Sequence, residues 1–185
     1  MKRIVVLFSG AGSNLAYILK HLHGKEVEVA AAITNNPEAG GIAIAESYGV
    51  PVEVMDHRKF PDRESFDREL VKRIEKYEPD LTVLAGFMRI LTPEFTEKVR
   101  AINLHPSLLP RHRGLDAIRK SWEDEHPEGG VTVHWVNEEL DGGEPILQYE
   151  LEKEGFESFE EYDEAIRRIE KEALTEAIRE VLNGD

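Results

Sequence analysis

There is no cysteine in the chain. That excludes a disulfide framework, a thiol nucleophile and a thiolate metal site, and it is compatible with a reducing compartment. Positive charge is also scarce: 23 Lys and Arg stand against 37 Asp and Glu, a formal net charge of −14. Such a surface repels nucleic acid and anionic membranes, and no Lys/Arg cluster offsets it, so neither is expected as a partner. No apolar run approaches the roughly 20 residues that span a bilayer. The opening MKRIVVLF has too short an apolar part for a signal peptide, and Ser9-Gly10-Ala11-Gly12 follows at once. It reads as a first strand entering a loop, and the cytoplasm is the expected location. There is no His-Glu-x-x-His and no other histidine–carboxylate spacing of a metal site, so no metal is expected. The acid excess is concentrated from Glu150 onward. An anionic ligand must therefore be held by local devices: helix N-termini, backbone N–H groups and a few arginines.

What is present fits one globular domain, with 41% hydrophobic and 32% charged residues among 185. Arg3–Phe8 reads as a buried strand, rich in Ile and Val without alternation. Helical spacing follows over Asn14–His23, then a strand over Val27–Ile33, a helix over Pro37–Tyr48 and a short strand over Val52–Met55. Asp62–Tyr77 is amphipathic, and Leu81–Ala85 is another buried strand. Thr92-Pro93-Glu94 opens a helix to about Arg100, with proline at the first helical position. Ile102–Leu104 supplies a strand, Leu115–Glu123 a helix, and Val131–Val136 and Ile146–Leu151 two further strands. Ser158, with Glu161 three positions on, opens a helix to Leu182 through a capping-box pattern. The alternation β-α-β-α-β-α-β-α predicts an α/β fold: a doubly wound, mostly parallel sheet with helices on both faces.

Three segments carry candidate chemistry. Ser9-Gly10-Ala11-Gly12-Ser13-Asn14 joins the first strand to the first helix, where glycines permit a sharp turn and a helix N-terminus suits a phosphate. It lacks the Gly-Lys-Ser/Thr of a Walker loop and the third glycine of a dinucleotide fingerprint. A plain strand–helix turn, capped by Ser13 or Asn14, is the competing reading. In Asn103-Leu104-His105-Pro106, alternation sends Asn103 and His105 to one side of an extended segment. An amide there can donate to a developing oxyanion and an imidazole can hold or release a proton near pH 7. A structural histidine beside a proline turn is the alternative. Asp141, in Leu140-Asp141-Gly142-Gly143, is either a turn aspartate or a carboxylate brought beside His105 by a long loop. Arg63 and Arg89 are candidate carboxylate binders. The apolar run Phe87-Met88-Arg89-Ile90-Leu91 suits either a pocket for a flat ring or core packing. His134 is as readily structural as functional.

Four ordered motifs, SGAGSN at 9–14, LAGFMRIL at 84–91, INLHPSLLP at 102–110 and TVHWVNEELDGG at 132–143, resemble those of the phosphoribosylglycinamide formyltransferases, a folate-dependent family. The resemblance runs from about Arg3 to about Leu182. It implies a Rossmann-like formyltransferase fold and transfer of formyl from 10-formyltetrahydrofolate to the amine of glycinamide ribonucleotide, in a monomer or homodimer. It implies a single domain over 1–185, with 1–100 as the ribonucleotide- and phosphate-binding half and 101–185 as the catalytic and folate-binding half. By the same resemblance Asn103, His105 and Asp141 form the catalytic trio, with Asp141 keeping His105 protonated. Gly12, Ser13 and Asn14 hold the ribonucleotide phosphate, and Glu170 contacts the ribonucleotide. Arg63, Met88, Arg89, Ile90, Leu91 and Asn103 meet the folate. Departures from the family pattern fall at Ala11, Asp116, Lys171 and Thr175; Asp116 stands where the family commonly has histidine. Other uses of the fold are a methionyl-tRNA formyltransferase, whose added C-terminal tRNA-binding domain fits neither this length nor this charge, and a formyltetrahydrofolate hydrolase, whose added N-terminal domain is not expected here but whose activity on the same fold is an alternative. A non-catalytic phosphate- or folate-binding protein is the alternative of another class.

Overall fold

A computed structural model describes residues 1–184. The chain forms two compact units, Met1–Ile102 and the residues from Asn103 onward. The fold class is the expected α/β one, with mostly parallel strands alternating with helices.

In the first unit, β1 (Lys2–Phe8), β2 (Val27–Thr34), β3 (Val52–Val54) and β4 (Leu81–Leu84) pair in parallel in the order β3-β2-β1-β4. Ile4 to Phe8 are fully buried, which is why β1 shows no alternation. Helices α1 (Ser13–His21), α2 (Gly41–Ser47) and α3 (Arg63–Lys76) make the crossovers. In α3, Phe66, Leu70, Val71 and Ile74 occupy one buried face, and the Asp62 side chain caps the helix by accepting from the Ser65 amide at 2.7 Å. The strand order reverses direction between β1 and β4. The loops at their carboxyl ends therefore stand at the switch point where open α/β sheets bind ligands.

In the second unit, β5 (Ala101–His105, entered from the first unit), β6 (Glu128–Trp135) and β7 (Pro145–Glu152) follow in that order. β6 and β7 pair antiparallel, with an irregularity between Val133 and His134. Helices α5 (Ala117–Glu123) and α6 (Phe159–Asn183) complete the unit. Ser158 caps α6 by accepting from Glu161 N at 3.2 Å, while Glu161 reaches back to the amide of Glu157 at 3.0 Å. The expected capping box is thus made one residue further back than the standard pattern.

Several boundaries differ from expectation. The helix expected from Pro37 begins at Gly41, because Asn36 first makes a turn: its side chain accepts from Glu38 N at 3.0 Å and its carbonyl from Ala39 N at 3.1 Å. The helix opened by Pro93, α4, stops at Thr96 rather than about Arg100. That expected from Leu115 starts at Ala117, because Asp116 has a left-handed backbone, φ 62°. β6 begins three residues before Val131. Gly129 and Gly130 serve as strand residues where the Tyr162 side chain and the Tyr149 carbonyl leave no room for a Cβ. A 3-10 turn at His57–Lys59 was not anticipated; Asp56 caps it.

Candidate functional site

At the switch point of the first unit, Ser9 is the organising residue. Its amide donates to the Gly86 carbonyl at 3.1 Å. Its hydroxyl donates to Asn35 Oδ1 at 2.6 Å and accepts from the Met88 amide at 2.8 Å. Asn36 Nδ2 donates to the Ser9 carbonyl at 3.1 Å. The ends of β1, β2 and β4 are tied together at this one residue. The loop then turns through Gly12, whose φ of 81° a residue with a Cβ adopts only with strain, and enters α1. No side chain caps α1 and no acid stands in its first turn, whereas α3 and α6 have both. The Ser13 and Asn14 amides therefore lie at a positive helix end that carries no anionic group of its own.

The segment after β4 presents Met88 and Ile90, both exposed, on either side of Arg89. Arg89 differs from a solvated arginine. Its guanidinium lies 3.7 Å from the centroid of the Phe66 ring, and Nη2 is 3.7 Å from Oδ1 of the fully buried Asp67. Asp67 Oδ2 in turn accepts from Thr92 N at 2.8 Å and from Thr92 Oγ1 at 2.7 Å. Removing this carboxylate strands a half-buried cation and a buried amide together, so Asp67→Ala is expected to cost about 3–5 kcal/mol of stability. Denaturant unfolding measures it, and a loss below about 1 kcal/mol would contradict the account. Arg63, first residue of α3, is exposed.

In the second unit, β5 presents Asn103 and His105, and the loop after β6 brings Asp141 to them. Asp141 Oδ2 lies 3.4 Å from His105 Nδ1 and accepts from the Gly114 amide at 2.9 Å. Oδ1 accepts from Asn103 Nδ2 at 3.5 Å. The carboxylate that sequence could not place is therefore in contact with both other members. Asp141 has φ 52°, a strained setting for a non-glycine residue, held by these contacts. The segment after β5 is fixed through Thr132. Its hydroxyl donates to the Ser107 carbonyl (2.7 Å) and accepts from Leu109 N (3.0 Å) and Gln148 Nε2 (2.9 Å), which uses all its hydrogen-bonding capacity.

His134 is the residue that sequence reasoning left undecided. Its Nδ1 lies 2.9 Å from the Trp135 carbonyl, which can only accept, so Nδ1 carries the proton. Nε2 of the neutral ring is then an acceptor, and Asn103 Nδ2 donates to it at 3.1 Å. A peptide carbonyl thus sets the His134 tautomer, and the tautomer sets which way the Asn103 amide faces. The signal for this was the place of His134 in β6, which is buried without alternation from Gly129 to His134. His134 Nε2, at 3.7 Å from Asp141 Oδ1, is beyond hydrogen-bonding distance of the carboxylate.

His105 is arranged in the same way. Its Nε2 lies 2.8 Å from the His112 carbonyl, so Nε2 is protonated and Nδ1 is the nitrogen facing Asp141. Burial lowers the His105 pKa below the ordinary 6.5; the His112 carbonyl and Asp141 oppose this without overcoming it. The expectation that Asp141 keeps the resting imidazole protonated is corrected on this point: desolvation outweighs the carboxylate. Burial pushes Asp141 upward, but the neighbouring His134 side chain, the Gly114 amide and the His105 ring outweigh it and hold the carboxyl below its usual value.

Glu170, on α6, is half-buried, and burial raises its pKa to about 7 against the opposing Arg167 and Lys171. Asp116 is exposed and caps nothing with its side chain. Ala11 is exposed in the glycine loop. Thr175, buried on α6, bonds back to the Lys171 carbonyl at 3.0 Å, the ordinary use of a mid-helix threonine. Among the described residues no group of three or more histidines or acids is placed to hold a metal ion. No helix among them is long and apolar enough to cross a membrane.

The family model for formyl transferases matches residues 2–178. The phosphoribosylglycinamide formyltransferase of Escherichia coli is 44% identical over 149 residues, 78% of this chain and 70% of the relative. That of Haemophilus influenzae is 37% identical over 174 residues, 92% of this chain and 82% of the relative. The crystal structure of the phosphoribosylglycinamide formyltransferase from Campylobacter jejuni superposes with a TM-score of 0.95 at 46% identity, covering 98% of this chain and 97% of that one.

Proposed function

The chain belongs to the formyl transferase family, and from that membership we propose that it transfers the formyl group of 10-formyltetrahydrofolate to the amine of glycinamide ribonucleotide in purine biosynthesis, working in the cytoplasm. The observation that carries the chemistry is the cluster of Asn103, His105 and Asp141, an amide and a buried imidazole that both contact one carboxylate.

Each group has a part in the reaction. The amine attacks the formyl carbon, a C–N bond forms, and the carbonyl oxygen becomes an oxyanion. Asn103 Nδ2 has one N–H committed to His134 and one held only loosely by Asp141, at 3.5 Å. That second N–H is the donor for the oxyanion. His105 begins neutral with Nδ1 bare, so it takes the proton that the attacking nitrogen must shed. The new negative charge raises the pKa of the ring, and Asp141 stabilises the imidazolium. The proton passes to the departing folate nitrogen as its bond to the formyl carbon breaks. Atoms balance without a covalent enzyme intermediate.

The first unit supplies most of the binding groups. The uncapped N-terminus of α1, with Gly12, Ser13 and Asn14, takes the ribonucleotide phosphate. Exposed Met88 and Ile90, with Arg89, Leu91 and Arg63, meet the folate and its carboxylates, as does Asn103 at the reacting end. Glu170, titrating near neutrality, can accept from or donate to the hydroxyls of the ribonucleotide.

The test is formyl transfer with both substrates. Loss of formyl from the donor at the same rate without the amine would make the activity a hydrolysis and overturn the reading. The pH profile tests the role of His105. Its protonated ring cannot accept a proton, so kcat/KM falls as pH drops through a pKa below 6.5. Asp141 favours the protonated ring, so Asp141→Asn should move that acid limb to still lower pH. An acid limb above 6.5, or one unmoved in Asp141→Asn, would contradict this assignment.

A further inference from the structure

The carbonyl that holds His105 Nε2 belongs to His112, whose backbone is left-handed at φ 54°. A non-glycine residue keeps that conformation where its surroundings impose it. The side chain of His112 shows what imposes it here. Its Nε2 lies 2.7 Å from Asp124 Oδ2. Asp124 Oδ1 accepts from Lys153 Nζ at 2.7 Å and from the His126 amide at 2.9 Å. Lys153 Nζ also donates to the carbonyls of Ser121 (2.7 Å) and Asp124 (3.1 Å), the exposed end of α5. Lys153 follows β7, Asp124 closes α5, and His112 lies on the loop between β5 and α5. Three segments meet at one carboxylate. The side chains of Lys153 and Asp124 are only 11% and 16% exposed, so this is not a solvated surface pair that contributes little.

We propose that Asp124 and Lys153, acting through His112, are positioning residues for His105: together they aim the His112 carbonyl at Nε2, commit the Nε2 proton there, and so leave Nδ1 as the nitrogen that exchanges a proton. The inference rests on the reading of His105 as the proton-transfer group. Its physical content is a choice of tautomer. Asp141 lies beside Nδ1 and by itself favours a proton on that nitrogen. A neutral ring with its proton on Nδ1 has no lone pair there and cannot accept. The His112 carbonyl opposes this by drawing the proton to Nε2. With the clamp released, the loop relaxes from its left-handed turn, the carbonyl swings away and the wrong tautomer gains.

The ring nitrogens of His105 in the 15N-labelled full chain report this directly, without turnover. The wild type should show a protonated Nε2 and a bare Nδ1 above the pKa of the ring. In His112→Leu the neutral ring should shift toward a protonated Nδ1. The kcat for formyl transfer should fall roughly tenfold to a hundredfold, with KM for both substrates within about twofold. His112→Gln places an amide N–H where the imidazole Nε2 stands, and should restore the nitrogen signals and kcat. Asp124→Asn keeps the shape of the carboxylate but not its charge, and should move both readouts in the direction of His112→Leu; it decides the matter if His112→Leu does not fold. Unchanged nitrogen signals in a folded variant overturn the proposal, and so does a changed tautomer with wild-type kcat. Failure of the underlying reading shows separately, as wild-type turnover in His105→Ala, and the nitrogen signals still decide the clamp.

Discussion

Asn103→Ala and His105→Ala are each expected to lower kcat by about a hundredfold to a thousandfold, the usual consequence of losing one oxyanion donor from a preorganised site, while the chain stays folded. The basis is the difference between what each side chain does for the fold and for the reaction. Asn103 is half-buried, and its amide bonds to His134 and Asp141, so its loss leaves two acceptors short of a partner. That is about 1–3 kcal/mol, a fraction of a domain's stability. His105→Ala similarly releases the His112 carbonyl and opens a small cavity. The loss in kcat should exceed any change in KM, because the interactions are strongest with charge that exists only during the reaction. Steady-state kinetics beside thermal unfolding checks both halves. Turnover within about tenfold of wild type in either folded variant would remove that residue from the chemistry.

Gly143→Ala is expected to be as damaging to activity and also to stability, although Gly143 takes no part in the reaction. A Cβ at this position would run into the Trp135 carbonyl oxygen, a backbone atom that cannot rotate out of the way. The Trp135 carbonyl is the group that fixes the proton on His134 Nδ1, and His134 Nε2 orients Asn103. Displacing that oxygen therefore disturbs the Asn103 amide from two residues beyond Asp141, besides straining the loop that delivers Asp141. Overpacking of this kind costs on the order of 1–3 kcal/mol. Activity should drop by more than a hundredfold, because a misplacement of about 1 Å is enough for that. A Gly143→Ala chain with unaltered melting temperature and kcat would show that the loop is not held as described.

Much of this was legible in the chain itself, for physical reasons that differ by element. The unalternating Ile4 to Phe8 could only be a strand covered on both faces, and it is fully buried. The pairing of Asn103 with His105 followed from strand alternation, which no distant contact can alter. Asp141 was a different matter: its approach to His105 depends on a loop whose course is set by a left-handed backbone and by the Gly114 amide, twenty-seven residues away in the chain. The charge on His105 is not legible in the motif, because burial cannot be read from an isolated segment and desolvation is the larger influence. His134 was visible as a buried strand residue, but its importance depends on which of its nitrogens holds a proton, and only its neighbours settle that. At the other site, Ser9 was noted as the start of a glycine loop, yet its bonds to Asn35 and Met88 join segments that periodicity treats as independent.

Two histidines of the second unit each have one nitrogen tied to a peptide carbonyl, His134 to that of Trp135 and His105 to that of His112. A peptide carbonyl has no protonation state to change in the biological pH range. The direction in which hydrogen bonds run through the cluster is therefore anchored at two fixed poles, and only what lies between them carries a movable proton. His105 can gain or lose charge at Nδ1 while its Nε2–H goes on donating to the His112 carbonyl. Acidification therefore switches the site off by filling Nδ1 of His105, while the hydrogen bond from Nε2 holds the ring where it is.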